Sequence, residues 1–263
     1  MKQLSTLKKY YYLALEGKKF RDKFAIFSYL FFRPITFLFG KIIGKNIKTL
    51  LFDVTLKNTD GIFFCGDNMF TIWCGSSFHE PKLRKYFDLK EGVFIDVGAN
   101  IGKFSVIVGK KLGDKGKIIS LEPEIKNFNI LKKNIQLNKL NNIYLINAAA
   151  FSRNTSLNLS IDPEGTGGHS FSIKKSKRYE KIKAIKLDSL ISKYNLKKID
   201  LIKIDVEGAE ADVLAGANEI LKRYHPKIIF EAWDKNHLNK VKEILKKFKY
   251  KVKKIDSEDY FAE

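Results

Sequence analysis

Phe94-Ile95-Asp96-Val97-Gly98-Ala99-Asn100-Ile101-Gly102 is the stretch from which the fold of this chain is read. A short apolar run over 93–97 stops at a glycine and gives way to an apolar helical pattern over 102–112. The same rhythm recurs outward from it. A run over 117–121 precedes a helical pattern over 124–138, and 143–146 is a third run. After an irregular stretch come 199–206 with a helix over 209–223, then 226–230 with a helix over 236–248. Short apolar strands alternating with amphipathic helices predict an α/β fold with a mostly parallel sheet and helices on both faces. Right-handed crossovers set its hand. Residues 155–161, 170–174 and 181–187 read as extra strands inserted after the third repeat.

Ligands in such sheets sit beyond the carboxyl ends of the strands, so Asp96 and the loop from Gly98 to Gly102 face a crevice. Gly98 permits a tight turn and close approach of backbone to a ligand. Glu122 ends the second strand, 20 residues past Gly102, where an acid can hold both hydroxyls of a ribose. The loop reads G-x-N-x-G and not the dinucleotide pattern G-x-G-x-x-G. A pyrophosphate favours a bare helix N-terminus, and Asp96 at the mouth repels it. The cationic sulfonium and ammonium of S-adenosylmethionine suit an acidic floor, and that is the expected cofactor.

The pieces together resemble a known family. Phe94 to Gly102 is followed by Leu121-Glu122-Pro123, Asn147-Ala148-Ala149 and Lys186-Leu187-Asp188-Ser189-Leu190. Then come Ile199-Asp-Leu-Ile-Lys-Ile-Asp-Val-Glu-Gly-Ala-Glu210 and Phe230-Glu231. In this order, over roughly residues 91–233, the string is similar to the FkbM family of methyltransferases. The resemblance implies a class I, Rossmann-like methyltransferase fold and, most often, O-methylation of sugars or secondary metabolites. Carried over, it implies that Asp96, Gly98, Asn100 and Gly102, with Ala99 among them, line the methionine part of the cofactor. Glu122 would take the ribose, Asn147 and Ala148 would lie beside the adenine, and Asp205 would face the transferred methyl group. The strand-like 250–255 lies close to the last residue, so the usual antiparallel edge hairpin is expected to be abbreviated or supplied partly by 155–187.

Methyl transfer to oxygen gains from positioning and from a base that takes the hydroxyl proton. The candidates are His169 in the glycine-rich loop 165–170, Glu231 at the end of the fifth strand, and Lys203. Lys203, Asp205 and Glu207 alternate and are expected to share a strand face. Each also has a structural reading: an internal ion pair for Lys203, a helix-start acid for Glu207, a plain loop position for His169. A divalent ion held by Asp205 and Glu207 was weighed and is not expected.

The chain of 263 residues carries a formal charge of +20, mostly from lysine. Such a charge is either compositional or an attraction to an anionic partner. The basic run over 174–183 is either a solvated hairpin or a landing strip for an anionic acceptor. The acceptor expected is a hydroxyl on a sugar, glycan, glycolipid or other small metabolite. The alternative is an RNA methyltransferase. Against it, the position after the fourth strand reads Asp205-Val-Glu-Gly208 and not the Asn-Pro-Pro-Tyr type used on base amines.

Residues 1–90 hold 16 Lys/Arg against 7 Asp/Glu and are rich in aromatics. They read as a helical, aromatic and basic segment over 1–45 and a small β extension over 46–90, ahead of the methyltransferase domain over 91–263. A helix is predicted over 4–30, broken at Arg33-Pro34, with a second over 35–43 ending at Gly44. Strands are predicted over 50–57, 61–65 and 69–74. The apolar stretch 24–44 is cut by Arg33 and Pro34, which disfavours a spanning helix. It is expected to lie in a membrane interface or to pack on protein. Cys65 and Cys74 match no metal or redox spacing, and nothing resembles a cleaved export signal. The expected setting is cytoplasmic, peripheral at the inner membrane face.

Overall fold

The computed structural model describes residues 6–44, 49–160 and 179–263. The chain forms two compact units, one up to Pro81 and one from Lys82 onward.

The first unit begins with α1 (Thr6–Leu15) and α2 (Phe20–Ile43). The helix break falls at Gly17 and not at Arg33-Pro34. Strand pairing takes the backbone groups there: Lys18 N donates to the Thr55 carbonyl at 2.8 Å and Lys57 N to the Glu16 carbonyl at 2.7 Å. A Cβ on Gly17 would stand 2.6 Å from Lys23 N, so the turn needs a glycine. Helix α2 runs straight through Pro34. A proline removes one donor, a local cost of about 3 kcal/mol, and leaves the turns on either side intact. The helix ends as expected at Gly44, whose N–H donates to the Gly40 carbonyl. Next come β1 (Val54–Lys57) and β2 (Ile62–Gly66), an antiparallel pair, and α3 (Met69–Gly75). The expected strand at 69–74 is therefore a helix. Asn68 caps it, its side-chain oxygen accepting from Phe70 N at 2.7 Å, and a local cap outweighs the aromatic, β-branched composition.

The second unit is built from β3 (Gly92–Val97), α4 (Lys103–Leu112), β4 (Gly116–Leu121), α5 (Ile125–Leu137) and β5 (Ile143–Ile146). There follow β6 (Ala149–Ala150), β7 (Thr155–Ser160), β8 (Tyr179–Ile185), α6 (Ser189–Lys193) and β9 (Leu201–Ile204). The remainder is α7 (Glu210–Ala215), α8 (Asn218–Arg223), β10 (Lys227–Glu231), α9 (Lys235–Lys247), β11 (Val252–Lys254) and β12 (Asp259–Ala262). The main sheet has the order β11-β12-β10-β9-β3-β4-β5. Its first five strands in the chain are parallel, and only β12 is reversed, pairing antiparallel with both β10 and the edge strand β11. This is the class I methyltransferase arrangement. Alternate residues feed two cores: Ile95 and Ile202 pack with α7, α8 and α9, while Phe94, Leu201 and Ile229 pack with α4.

Two expectations change. The edge hairpin is present as the short strands β11 and β12, and the described residues of 155–187 join a different sheet. Strands β6, β7 and β8 form a separate three-stranded sheet. The predicted strand 170–174 lies outside the described residues. The predicted helix 209–223 is two helices, because Gly216 backs onto the Phe151 carbonyl, 2.1 Å from where its Cβ would be.

Candidate active site

Strand β3 delivers its carboxyl end to the switch point between β4 and β9, where the crossovers depart in opposite directions and a crevice opens. The loop after it folds back on β4. Gly98 N and Ala99 N both donate to the Leu121 carbonyl, at 3.0 and 2.9 Å, and Gly102 N donates to the Ala99 carbonyl at 2.8 Å. Gly98, Asn100 and Gly102 all have positive φ, at 76°, 51° and 85°. At Gly98 no side chain fits: a Cβ would lie 1.8 Å from the Asp205 carbonyl oxygen. Asn100 is a residue type that tolerates the left-handed region.

Glu122 ties the loop down. Its Oε2 accepts from Asn100 N at 2.8 Å and its Oε1 from Glu124 N at 3.0 Å. Burial pushes its carboxyl up to about 8, against the pull of those two N–H groups. Each oxygen keeps a lone pair for a ligand hydroxyl. Asn147 Nδ2 donates to the carbonyls of Glu122 and Pro123, at 2.9 and 3.0 Å, and so fixes the rim. Ala148 is buried beside it.

Asp96, Ser120 and Lys203 stand in register on three adjacent strands, on the face that α4 covers. Asp96 thus lies beneath the loop and not at the mouth. Ser105 Oγ donates to Asp96 Oδ2 at 2.5 Å, and burial raises this carboxyl. Asp96 Oδ1 and Asn100 Oδ1 are buried without a hydrogen-bond partner. Two unsatisfied acceptors under a glycine loop fit a cationic, donor-bearing ligand.

Lys203 is buried, with Nζ 2.7 Å from Asp205 Oδ2 and 5.1 Å from the centre of the Phe104 ring. Strand β9 ends at Ile204, not at residue 206, so Glu207 does not share its face. The chain turns through Glu207 at φ 55° and Gly208 at φ 100°, and Glu210 Oε1 accepts from Gly208 N at 3.1 Å. Glu231 ends β10 beside Asp259, its cross-strand partner on β12. Burial, and Asp205 next to it, with which it shares a hydrogen bond, hold the Glu231 carboxyl up at about 9. Burial and the same neighbour raise Glu207 to about 8. Burial brings Asp259 to about 6.

Within this unit, residues 96–255 match the family model described as the methyltransferase FkbM domain. The chain belongs to the FkbM methyltransferase family. It is 27% identical over 171 residues to methyltransferase sdnD of Sordaria araneosa, covering 53% of this chain and 66% of that protein. It is 24% identical over 151 residues to methyltransferase 1 of Beauveria bassiana, covering 49% and 59%. The chain thus spans about two thirds or less of the length of these relatives. A solved FkbM methyltransferase from Methylobacillus flagellatus KT is 15% identical, with a TM-score of 0.49, covering 97% of this chain and 58% of that one.

In this FkbM protein the motif residues of the loop, Glu122, Asn147, Lys203, Asp205 and Glu231 all gather at the carboxyl ends of neighbouring strands. His169 and most of the basic run 174–183 lie outside the described residues. Among the described residues no group of three or more His, Cys, Asp or Glu side chains is arranged to hold a metal ion. Sequence reasoning missed His237. Asp234 caps α9, accepting at Oδ1 from Asn236 N and His237 N, and its Oδ2 lies 2.8 Å from His237 Nδ1. The opposite ring nitrogen, Nε2, stands 3.5 Å from where a Cβ on Gly208 would be, with Trp233 alongside. The signal was in the chain: Phe230-Glu231 leads directly into Trp233-Asp234 and a histidine three residues on, the spacing of a cap with a ring nitrogen in reach.

Proposed function

We propose that this chain is an S-adenosylmethionine-dependent methyltransferase acting on a hydroxyl of a sugar, glycan, glycolipid or other small metabolite. One observation carries the reading. A protein with a net charge of +20 gathers Asp96, Glu122, Glu207, Glu231 and Asp259 within electrostatic reach of Asp205. A carboxyl-rich crevice, its acids held protonated by burial and by one another, can give up protons to a bound cation and so favours a cationic ligand.

When bound, the cofactor supplies an electrophilic methyl group on a sulfonium. The chain's own residues do the rest. Gly98 gives backbone access. Asp96 Oδ1 and Asn100 Oδ1 offer acceptors to an ammonium. Glu122 accepts from ribose hydroxyls, and Asn147 holds the rim on the adenine side. Lys203 is a positioning residue: it neutralises Asp205 and Asp96, so the floor keeps its shape without excess charge. His237, oriented by Asp234, is the base for the acceptor hydroxyl, the arrangement in which a ring nitrogen is held by a carboxylate and its opposite nitrogen is free to take a proton. Glu231, its carboxyl raised by burial and hydrogen-bonded to Asp205, is suited to holding the floor.

Calorimetric titration with S-adenosylhomocysteine tests the cofactor; folded protein that gives no heat ends the proposal. Incubation with labelled S-adenosylmethionine and separate glycan, lipid and RNA fractions tests the acceptor. The net charge supports the RNA reading as the alternative, and label in the RNA fraction alone would establish it in place of the first.

A further inference from the structure

Helix α2 presents an apolar stripe to solvent. Phe24, Phe27, Phe31, Ile35, Leu38 and Ile42 recur at steps of three and four and so lie one above another on one face. All are between 42% and 80% exposed. Together they put on the order of 600 Å² of apolar surface in water, at the upper limit of what a monomer usually leaves uncovered. The buried residues of the helix, Asp22, Ala25, Ile26 and Gly40, lie on the opposite side, while Phe32, Phe37, Phe39 and Ile43 leave further apolar surface exposed off the stripe. Arg33 lies two turns on from Ile26 and so points away from the stripe. Lys23 and Lys41 are five turns apart and border it along one edge, and Lys18, Lys19 and Arg21 cluster at its start.

We propose that α2 lies flat in the surface of an anionic lipid bilayer, the stripe immersed and the lysines on the headgroups. Charge selects this occupant over a neutral one: apart from the buried Asp22, every charge from residue 18 to 41 is positive, and each such residue near an anionic surface adds attraction. The geometry selects lying over spanning. By length and composition α2 could cross a membrane. Its first turns, however, are anchored in the first unit. Asp22 accepts from Lys19 N at 2.8 Å and from Thr55 N at 3.2 Å, and Ala25 and Ile26 are buried. Residues 27–43 would reach only about 25 Å, short of a hydrocarbon core of about 30 Å, and would carry Arg33 into it.

Flotation of the full chain with two kinds of vesicle tests this: phosphatidylcholine alone, and phosphatidylcholine with one third phosphatidylglycerol. The protein should float with the anionic vesicles and be released by high salt. The variant Phe24→Gln/Phe31→Gln/Leu38→Gln and, separately, Lys18→Gln/Lys19→Gln/Lys41→Gln should each lower partitioning about tenfold or more. Both should keep the wild-type circular dichroism, since the replaced apolar side chains are exposed. Four results would overturn the proposal: wild type left at the bottom of the gradient, folded variants floating like wild type, binding that resists high salt and carbonate as a spanning helix does, or a vesicle-free dimer that the apolar variant alone dissociates.

Discussion

Lys203 Nζ stands 2.7 Å from Asp205 Oδ2, and Asp205 in turn shares a hydrogen bond with Glu231 at the end of the neighbouring strand β10. The crevice therefore sets its charge with protons. Two carboxyl groups and one ammonium meet there, and burial keeps a proton on the carboxyl pair in preference to a second anion.

Stability should fall as pH rises. Glu122, Glu207 and Glu231 hold protons up to about 8, 8 and 9, from 4.5, and Asp259 up to about 6, from 3.8. Between about pH 5 and 9 the folded state therefore binds more protons than the unfolded one, and the slope of unfolding free energy with pH is negative. The urea midpoint of ligand-free protein should be highest near pH 5 to 6 and decline toward pH 9, less steeply in Glu231→Gln. A midpoint that climbs across this range contradicts the carboxyl cluster. S-adenosylmethionine, with one more positive charge than S-adenosylhomocysteine, should gain affinity relative to it over the same interval.

Gly98→Ala should abolish cofactor binding and cost at least about 2 kcal/mol of stability. The added Cβ meets the Asp205 carbonyl at 1.8 Å with φ at 76°. Two backbone segments would have to part, and they are the two that line the crevice. Chemical denaturation and calorimetry on the same sample measure both effects; a variant that binds normally excludes this loop as the cofactor floor.

Glu122→Ala should weaken S-adenosylhomocysteine by about 1–3 kcal/mol through lost ribose hydrogen bonds. It also frees Asn100 N and Glu124 N, so the loop loses its two ties. Unchanged affinity would place the ribose elsewhere.

His237→Ala should leave S-adenosylhomocysteine affinity unchanged and lower kcat by about 10²–10⁴-fold. Asp234→Ala should lower kcat as well, and destabilise the fold by about 1 kcal/mol through loss of the α9 cap. Full activity in His237→Ala assigns the proton to another group.

Much of the fold was legible because its signals are local. The alternation of apolar runs with amphipathic helices reports burial on both sheet faces, and strands β3, β4, β5 and β10 fall within about a residue of their predicted bounds. The readings that failed were contests between local preference and a distant partner. Arg33-Pro34 breaks a helix by rule, yet Gly17 ends it, because the backbone of residues 16–18 pairs with β1. Residues 69–74 have strand composition, yet Asn68 caps a helix. Glu207 appeared to continue β9, but Glu210 turns the chain first.

The order of types along the chain alone determined the class of fold, the family, and the glycine loop with its acidic partner 20 residues on. These depend on spacing, and spacing is written in the chain. Tertiary structure decided which charges neutralise one another. Asp96 lies beneath the loop because its strand register sets it beside Ser120 and Lys203 under α4, and Lys203 spends its charge on Asp205. It also decided that His237 meets the Gly208 turn and that Phe24 to Ile42 remain uncovered. Proximity in space between residues far apart in sequence, and the burial that sets their proton affinity, exist only once the strands are side by side.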